Sequence, residues 1–390
     1  MRRLFLFTSS FPYGNAESFL EDEIIYLCER FNEVMIIPLS GWGEKCRTVP
    51  PSCKVIQPVI KNKRIKFFYG FFNYRTFYPY LKDFVNNKVI TKKSRTKTWL
   101  ASYFNTNLLL NSKSVREVLN QLREDDICYS YWGINSLSYF LSGKCRFVSR
   151  FHGEWDLWEE SSGDYATLRK EILQSLSAQF FISNKGKDYL ARKYYCNNAI
   201  VSRLGTQDYG KGNKSTDGVL RVVSCSSVYP LKRVPLIFDV LNHYNASFVE
   251  WTHLGGGRDF DLLLTYTQQK ANPNIKVSLL GQVTHKEVIE YYKNNKVDCF
   301  INLSTNEGVP VSIMEALSFD IPVIATNVGS TAEAVTADAG ILVNSNPSIE
   351  EVLKAIDTIN KGNYNPRKVW EQRFNADCNY REFANHLYIL

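Results

Sequence analysis

A chain of 390 residues with 44% hydrophobic residues is long enough for two domains of ordinary size and can fill a core in each. Its nine cysteines are odd in number, scattered, and without a Cys-x-x-Cys or a Cys/His cluster at zinc spacing, which argues against a disulfide scaffold and a structural zinc site and points to a reducing cytoplasm. The net charge of +8 selects no partner by itself, so its distribution along the chain carries the information.

The apolar start, Met1 to Phe7, stops at Thr8-Ser9-Ser10 with Pro12 close behind, so Arg3 to Phe7 reads as a first strand and not as a signal peptide. No window has the length of apolar residues that a spanning helix needs. A polar loop follows through Gly14, Asn15 and Ala16. From Glu17 to Phe31, Leu20, Ile24, Leu27, Cys28 and Phe31 recur at helical spacing, and Val34 to Leu39 is a strand, which makes a βαβ opening.

Between residues 61 and 97, eleven lysines and arginines face a single acid, Asp83, and are interleaved with ten aromatic residues. Such a composition suits an anionic membrane surface, with cations at headgroups and rings at the acyl boundary. RNA stacking is a second reading, but no nucleic-acid module motif accompanies it, so no nucleic-acid partner is expected. The plain alternative is one helix with aromatics facing a core and lysines facing water.

Asp126 to Tyr131 and Arg146 to Phe151 read as strands. The second runs into Arg150-Phe151-His152-Gly153-Glu154-Trp155-Asp156, where a histidine at a strand end can donate to a hydroxyl or an anion and Arg150 adds fixed charge. A lone histidine is more often structural. Phe180 to Ser183, a helix from Lys185 to Tyr194, and Ala199 to Leu204 complete a first domain of residues 1–205. Gly205, Gly210, Gly212 and Gly218 lie among polar residues, so 206–218 reads as a linker and hinge.

The second domain, 219–365, alternates regularly: strand Leu220 to Cys225, helix Pro235 to Tyr244, strand Phe248 to Leu254, helix Asp259 to Lys270, strand Ile275 to Leu280, helix His285 to Asn295 and strand Cys299 to Leu303. That alternation predicts a parallel, doubly wound α/β sheet. Gly255-Gly256-Gly257 is weak evidence for a phosphate loop. A helix from Ile349 to Ile359 closes the sheet, and 366–390 reads as one apolar-striped helical tail.

Asp298 to Val335 holds the chemistry. A buried strand ends in Ser304-Thr305-Asn306, Glu307-Gly308-Val309 connect, and Pro310 takes the first position of a helix in which Ile313, Met314 and Leu317 face inward. Glu307 sits before the helix and Glu315 within it. The crevice beyond a strand's carboxyl end, with a helix N-terminus beside it, suits an anionic ligand.

These residues, two glutamates with seven residues between them, then Ala316-Leu317-Ser318 and the strand and loop Ile321 to Val335, resemble the retaining glycosyltransferases of family 4. Those enzymes have the GT-B fold: two facing Rossmann-like, doubly wound α/β domains whose C-terminal helix crosses back to the first. The resemblance covers the second domain well and the first more loosely. It implies that Glu307 contacts the donor sugar and Glu315 the ribose hydroxyls of a nucleotide-sugar. Ser226 to Arg233 is similar to the diphosphate loop, with Lys232 as the family lysine, Ser227 where many members carry arginine, and Arg233 as the candidate to supply that guanidinium. Gln282 belongs to a base-contacting loop by the same likeness, and the amides of Gly308, Val309 and Val311 would bind the leaving diphosphate.

In the first domain the resemblance implies that Gly14, Asn15 and Glu17 face donor and acceptor, and that Arg150, His152 and Asp156 lie on the acceptor side. His152, Lys232 and Glu307 are the expected catalytic residues. No cofactor is implied, and lysine with helix-end stabilisation would replace a metal ion. The expected function is sugar transfer to a hydroxyl of a glycan or lipid-linked glycan in surface polysaccharide synthesis, at a cytoplasmic location, peripheral on the inner face of the membrane. A sugar-nucleotide epimerase or hydrolase on the same fold, or a non-catalytic scaffold suggested by Ser227, is the alternative.

Overall fold

A computed structural model of the chain describes residues 2–14, 17, 19–41, 47–60, 70–153 and 156–390, with the side chain of Ser161 excepted. Asn15, Glu154, Trp155 and residues 61–69 of the basic, aromatic stretch lie outside the described residues. The chain forms two compact units, one of Met1–Ser202 with Tyr380–Leu390 and one of Arg203–Asn379.

In the first unit β1 (Arg3–Thr8), β2 (Glu33–Pro38), β3 (Cys53–Val55), β4 (Ile127–Ser130), β5 (Arg146–Phe151), β6 (Ala178–Phe181) and β7 (Ala199–Val201) form a parallel sheet in the order β3-β2-β1-β4-β5-β6-β7. Leu4, Phe5, Leu6 and Phe7 are all buried, the signature of a parallel strand covered on both faces. β1 pairs with β2 on one side, Leu4 beside Val34, and with β4 on the other, Leu4 beside Ile127. Strand order therefore reverses at β1, and the crevice at the carboxyl ends of β1 and β4 is where such a sheet binds ligands.

The first helix is shorter than its periodicity predicts, running Leu20–Arg30. Glu17 has a left-handed φ of 58° and folds its carboxylate back onto the loop, so the helix cannot start there. The aromatic, basic stretch gives a helix at Tyr74–Asn86, capped by Asn73, and a longer one at Lys93–Asn111. The aromatic residues divide. Tyr80 points inward, its hydroxyl within 2.9 Å of Ser102 and 2.8 Å of both Thr106 and Ser136, while Tyr74, Tyr78, Leu81 and Val85 are 80%, 71%, 46% and 64% exposed. Phe84 also packs inward, on Trp99, so the core-facing aromatics of the plain reading are present at Tyr80 and Phe84, and a second, exposed apolar face runs along the same helix.

The tail is two helices, Pro366–Arg373 and Ala376–Ile389. Asn375 makes the break: its side-chain oxygen accepts the Asp377 amide at 2.9 Å and so caps the second helix. Tyr380, Phe383 and Leu387 are buried in the first unit, Tyr380 packing on Tyr26 and Phe383 on Tyr129 and Phe180.

In the second unit β8 (Leu220–Cys225), β9 (Val249–Leu254), β10 (Ile275–Leu279), β11 (Cys299–Asn302), β12 (Val323–Thr326) and β13 (Gly340–Val343) form a parallel sheet in the order β10-β9-β8-β11-β12-β13. Here the order reverses at β8, between β9 and β11. The glycine-rich stretch 205–218 lies in this unit and is bonded to it. The Gly212 amide donates to the Phe319 carbonyl and the Ser215 amide to Asp298, both at 2.8 Å.

Candidate functional site

The loops that leave β8 and β11 meet at the second unit's switch point. The Thr305 amide donates to the Leu231 carbonyl at 2.8 Å, which ties the two loops together, and Asn302 Oδ1 accepts the Ser304 amide at 3.0 Å. Glu307 is buried, and its Oε1 receives Lys232 Nζ at 2.7 Å and Asn302 Nδ2 at 3.2 Å. Lys232 closes the short turn Pro230–Lys232 and is itself mostly buried. The structure thus brings Lys232 and Glu307 together as a charged pair shielded from solvent.

Pro310 stands one position earlier than expected. It is the N-cap, with extended ψ of 123°, and the helix is Val311–Ser318. Among the described residues no hydrogen bond occupies the amides of Gly308, Val309 and Val311, so the helix start keeps free donors and its positive dipole end. Glu315, buried in that helix, places Oε1 3.0 Å from His285 Nε2. The loop after β12 braces this arrangement from behind. The Ser330 amide donates to the Gly308 carbonyl at 3.2 Å, and a Cβ on Gly329 would lie 1.7 Å from the Glu307 carbonyl oxygen, so only glycine fits.

Arg233 does not do what was expected of it. Four of its five N–H donors go to the carbonyls of Leu303, Ser304 and Ser345 and to Asn346 Oδ1, and burial pushes its pKa down. It is a brace between the loops after β11 and β13 and offers no guanidinium in place of the arginine absent at Ser227. Gln282 is exposed. Gly255 explains itself by a close approach: a Cβ there would sit 2.0 Å from the Ser226 carbonyl oxygen, so the glycine lets the loop after β9 press on the loop after β8.

His253 was invisible in the sequence as anything but a strand residue, yet it fixes the Ser226 loop. Trp251 Nε1 donates to Ser224 Oγ at 3.0 Å, Ser224 Oγ lies 2.8 Å from His253 Nδ1, and His253 Nε2 lies 3.1 Å from the Ser226 carbonyl. Because the tryptophan N–H can only donate and the carbonyl can only accept, Nε2 carries the proton and the serine hydroxyl donates to Nδ1. Burial pushes the His253 pKa down to about 4, so this relay stays neutral.

In the first unit Gly14 has a left-handed φ of 63° in the loop after β1. Glu17 is not open to a ligand: its carboxylate accepts the amides of Ser9, Ser10 and Phe11 and the Trp132 indole N–H. Asp156 is likewise consumed, accepting the amides of Gly133, His152 and Gly153. Arg150 is fully buried, paired with Glu23 at 2.7 Å and donating to the Ser202 carbonyl at 2.9 Å, so it is a core strut and no acceptor contact. His152 is different. Its ring lies 4.4 Å from Tyr131 and 4.8 Å from Trp132, its Nδ1 stands 3.6 Å from Asp156 Oδ2, and among the described residues neither ring nitrogen makes a hydrogen bond.

Asp259-Phe260-Asp261 has the spacing of a metal-binding pair, but Asp259 is bonded to Arg258 at 2.9 Å. Among the described residues no three His, Cys, Asp or Glu side chains group so as to hold a metal ion.

Residues 217–375 match the family model of Glycosyl transferases group 1. Over 156 residues the chain is 28% identical to a component of the phosphatidylinositol N-acetylglucosaminyltransferase of Arabidopsis thaliana, an alignment of 37% of this chain and 33% of that protein. The chain thus matches about a third of that relative's length. Among solved structures it resembles the apo form of the lipopolysaccharide outer core galactosyltransferase WaaB, at 16% identity and a TM-score of 0.66, covering 100% of this chain and 99% of that one. HepE from Anabaena, in complex with UDP and glucose, superposes over 100% of both chains at 16% identity and a TM-score of 0.67. Residues 217–375 are therefore similar to group 1 glycosyl transferases, and the whole chain has the α/β GT-B fold.

Proposed function

We propose that this protein is a retaining glycosyltransferase of family 4 type. It moves a sugar from a nucleotide-sugar to a hydroxyl of a glycan or lipid-linked glycan in surface polysaccharide synthesis, with no metal ion required. The observation that carries the reading is the Lys232–Glu307 pair beside the free amides of Gly308, Val309 and Val311, with Glu315 one helix turn further in. With a donor bound, Lys232 turns from Glu307 to the diphosphate, and the amides and helix dipole share that charge. Glu307 then accepts from the sugar hydroxyls and Glu315 from the ribose hydroxyls. The bond between the anomeric carbon and the phosphate oxygen breaks, the acceptor oxygen attacks on the same face, and its proton passes to the departing phosphate. His152, whose Nδ1 lies 3.6 Å from Asp156 Oδ2 and whose Nε2 has no hydrogen-bond partner among the described residues, donates through Nε2 to the acceptor hydroxyl or the donor phosphate.

Thermal shifts with UDP, GDP, ADP and CMP test the donor site. A nucleotide at about 100 times its dissociation constant adds roughly 2.7 kcal/mol to the native state. The expected result is a shift with UDP, the nucleotide held by HepE, that is lost in Glu315→Ala; no shift with any of the four overturns the reading.

Peripheral contact with an anionic membrane is proposed on the helix Tyr74–Asn86. Tyr74, Tyr78, Leu81 and Val85 follow one another by four, three and four residues and form one exposed apolar face, with Lys82, Lys88, Lys92 and Lys93 exposed around it. Among the described residues no helix is long and apolar enough to cross a membrane. In vesicle co-sedimentation the protein should pellet with anionic vesicles, much less with neutral ones, and Tyr78→Ser with Leu81→Ser should release it. Equal pelleting with neutral vesicles would count against the contact.

A further inference from the structure

The first unit contains a cavity that the donor chemistry leaves unused. It measures about 350 Å³, within the ~300–1,000 Å³ typical of small-molecule sites, and lies at the carboxyl ends of β1, β2 and β4, where that sheet reverses its strand order. Ile37, Leu39, Leu109, Trp132 and Trp158 supply apolar wall. Five hydroxyls of the wall are turned into the protein. Thr8 donates to the Phe11 carbonyl at 2.7 Å and Ser130 to the Trp132 carbonyl at 2.8 Å, while Ser102, Thr106 and Ser136 close a ring around the Tyr80 hydroxyl. With those groups satisfied, this part of the wall presents carbon, while Thr167 Oγ1, also on the wall, has no partner among the described residues.

Arg169 and Glu159 are the charged side chains on the wall. Arg169 is 4% exposed, yet among the described residues its Nη1 has no hydrogen-bond partner, and its Nε approaches Glu159 Oε1 only to 3.5 Å. Glu159 is shared with Lys193 at 3.4 Å and with the Tyr194 hydroxyl at 2.8 Å. A buried guanidinium with an idle N–H is costly unless an acceptor arrives. Asn105 Oδ1, also on the wall and buried, lacks a partner as well and can accept from a hydroxyl.

We propose that this cavity binds an amphiphile: an aliphatic chain held by the apolar wall, with one anionic group paired to Arg169. Naming that amphiphile as the anchor of the acceptor rests on the glycosyltransferase reading; the binding itself does not. Thr98 and Ala101, on the helix Lys93–Asn111, and the exposed Ile134 form the mouth. The same helix packs through Trp99 and Tyr103 on Tyr80 of the helix that carries the exposed apolar face.

The full chain is titrated with octyl phosphate below its micelle concentration, with octanol, with inorganic phosphate and with maltose. Tryptophan fluorescence reads Trp132 and Trp158 on the wall, and calorimetry reads stoichiometry. Octyl phosphate should bind once per chain, octanol at least tenfold more weakly, and phosphate and maltose not at all. Ala101→Trp, at an exposed position, should plug the mouth and abolish binding, and Arg169→Gln should make octyl phosphate no better than octanol. Binding of maltose without octyl phosphate, or octyl phosphate binding unchanged in both variants, overturns the proposal. The UDP-induced thermal shift, measured on the same preparations, reads the second unit. A normal shift without octyl phosphate binding sinks only this inference, and the converse sinks only the donor site.

Discussion

Lys232→Ala is expected to lower kcat/KM for sugar transfer by about 100- to 1,000-fold, the range observed when one charge-stabilising donor is removed from a pre-organised site. The ammonium is the side-chain cation that the structure places on Glu307, within 2.7 Å, in a pocket where little water screens it. Arg233, next in the chain, cannot substitute, because its donors are held by carbonyls. Lys232→Arg should rescue poorly, since a planar guanidinium cannot occupy the point position of the ammonium. A retained UDP-induced thermal shift in the variant would separate lost chemistry from lost folding. A loss in kcat/KM of less than about threefold would remove Lys232 from the mechanism.

Arg150→Met should destabilise the first unit by about 3–5 kcal/mol, because it leaves the Glu23 carboxylate buried without its counter-charge. Both side chains are almost wholly inaccessible, and the guanidinium also lies over the Phe383 ring at 4.3 Å. Burial alone would lower the Arg150 pKa; the Glu23 carboxylate and the nearby tyrosine hydroxyls more than reverse this and hold it above its usual value. Glu23→Gln combined with Arg150→Met buries no charge and should regain most of the loss. Urea denaturation, read on the transition of the first unit, measures both. A midpoint for Arg150→Met equal to wild type would mean that the pair contributes nothing.

The second unit was the more legible in sequence because its strands are short apolar runs punctuated by glycine, proline and polar turns. β8 was delimited from Leu220 to Cys225 with no correction needed, whereas β13 was missed, since Gly340-Ile341-Leu342-Val343 is a four-residue edge strand that looks like the end of a loop. Lys232, Glu307 and Glu315 were readable as candidates because their neighbours fix strand, loop and helix within one contiguous stretch. Arg150, Glu17, Asp156 and Arg233 were misassigned for a common reason. A charged residue beside a strand end looks the same in sequence whether its hydrogen bonds are open to a ligand or already filled by backbone amides and carbonyls, and distant segments decide which. Trp132, 115 residues from Glu17, is one such partner. The cavity in the first unit was hidden for the same cause, its wall being assembled from β1, β2, β4, the helix Lys93–Asn111 and the segment around Arg169.

The order in which a ribosome delivers this chain runs against the order in which its parts can be finished. N-terminal domains generally fold first during synthesis, at about 5–20 residues per second. Here the rings of Tyr129 and Phe180 and the guanidinium of Arg150 are covered by Phe383, and Tyr26 by Tyr380, so the first unit stays open along that face until the whole of the second has been made. At that rate the nascent sheet waits through nearly two hundred further residues, roughly ten to forty seconds, with aromatic surface uncovered. The second unit, though later in sequence, has its full set of contacts at residue 379, before the first unit does. Closure of the earlier half thus waits for residues 380–390, and for that interval the nascent chain is a client for whatever shields apolar surface in the cell.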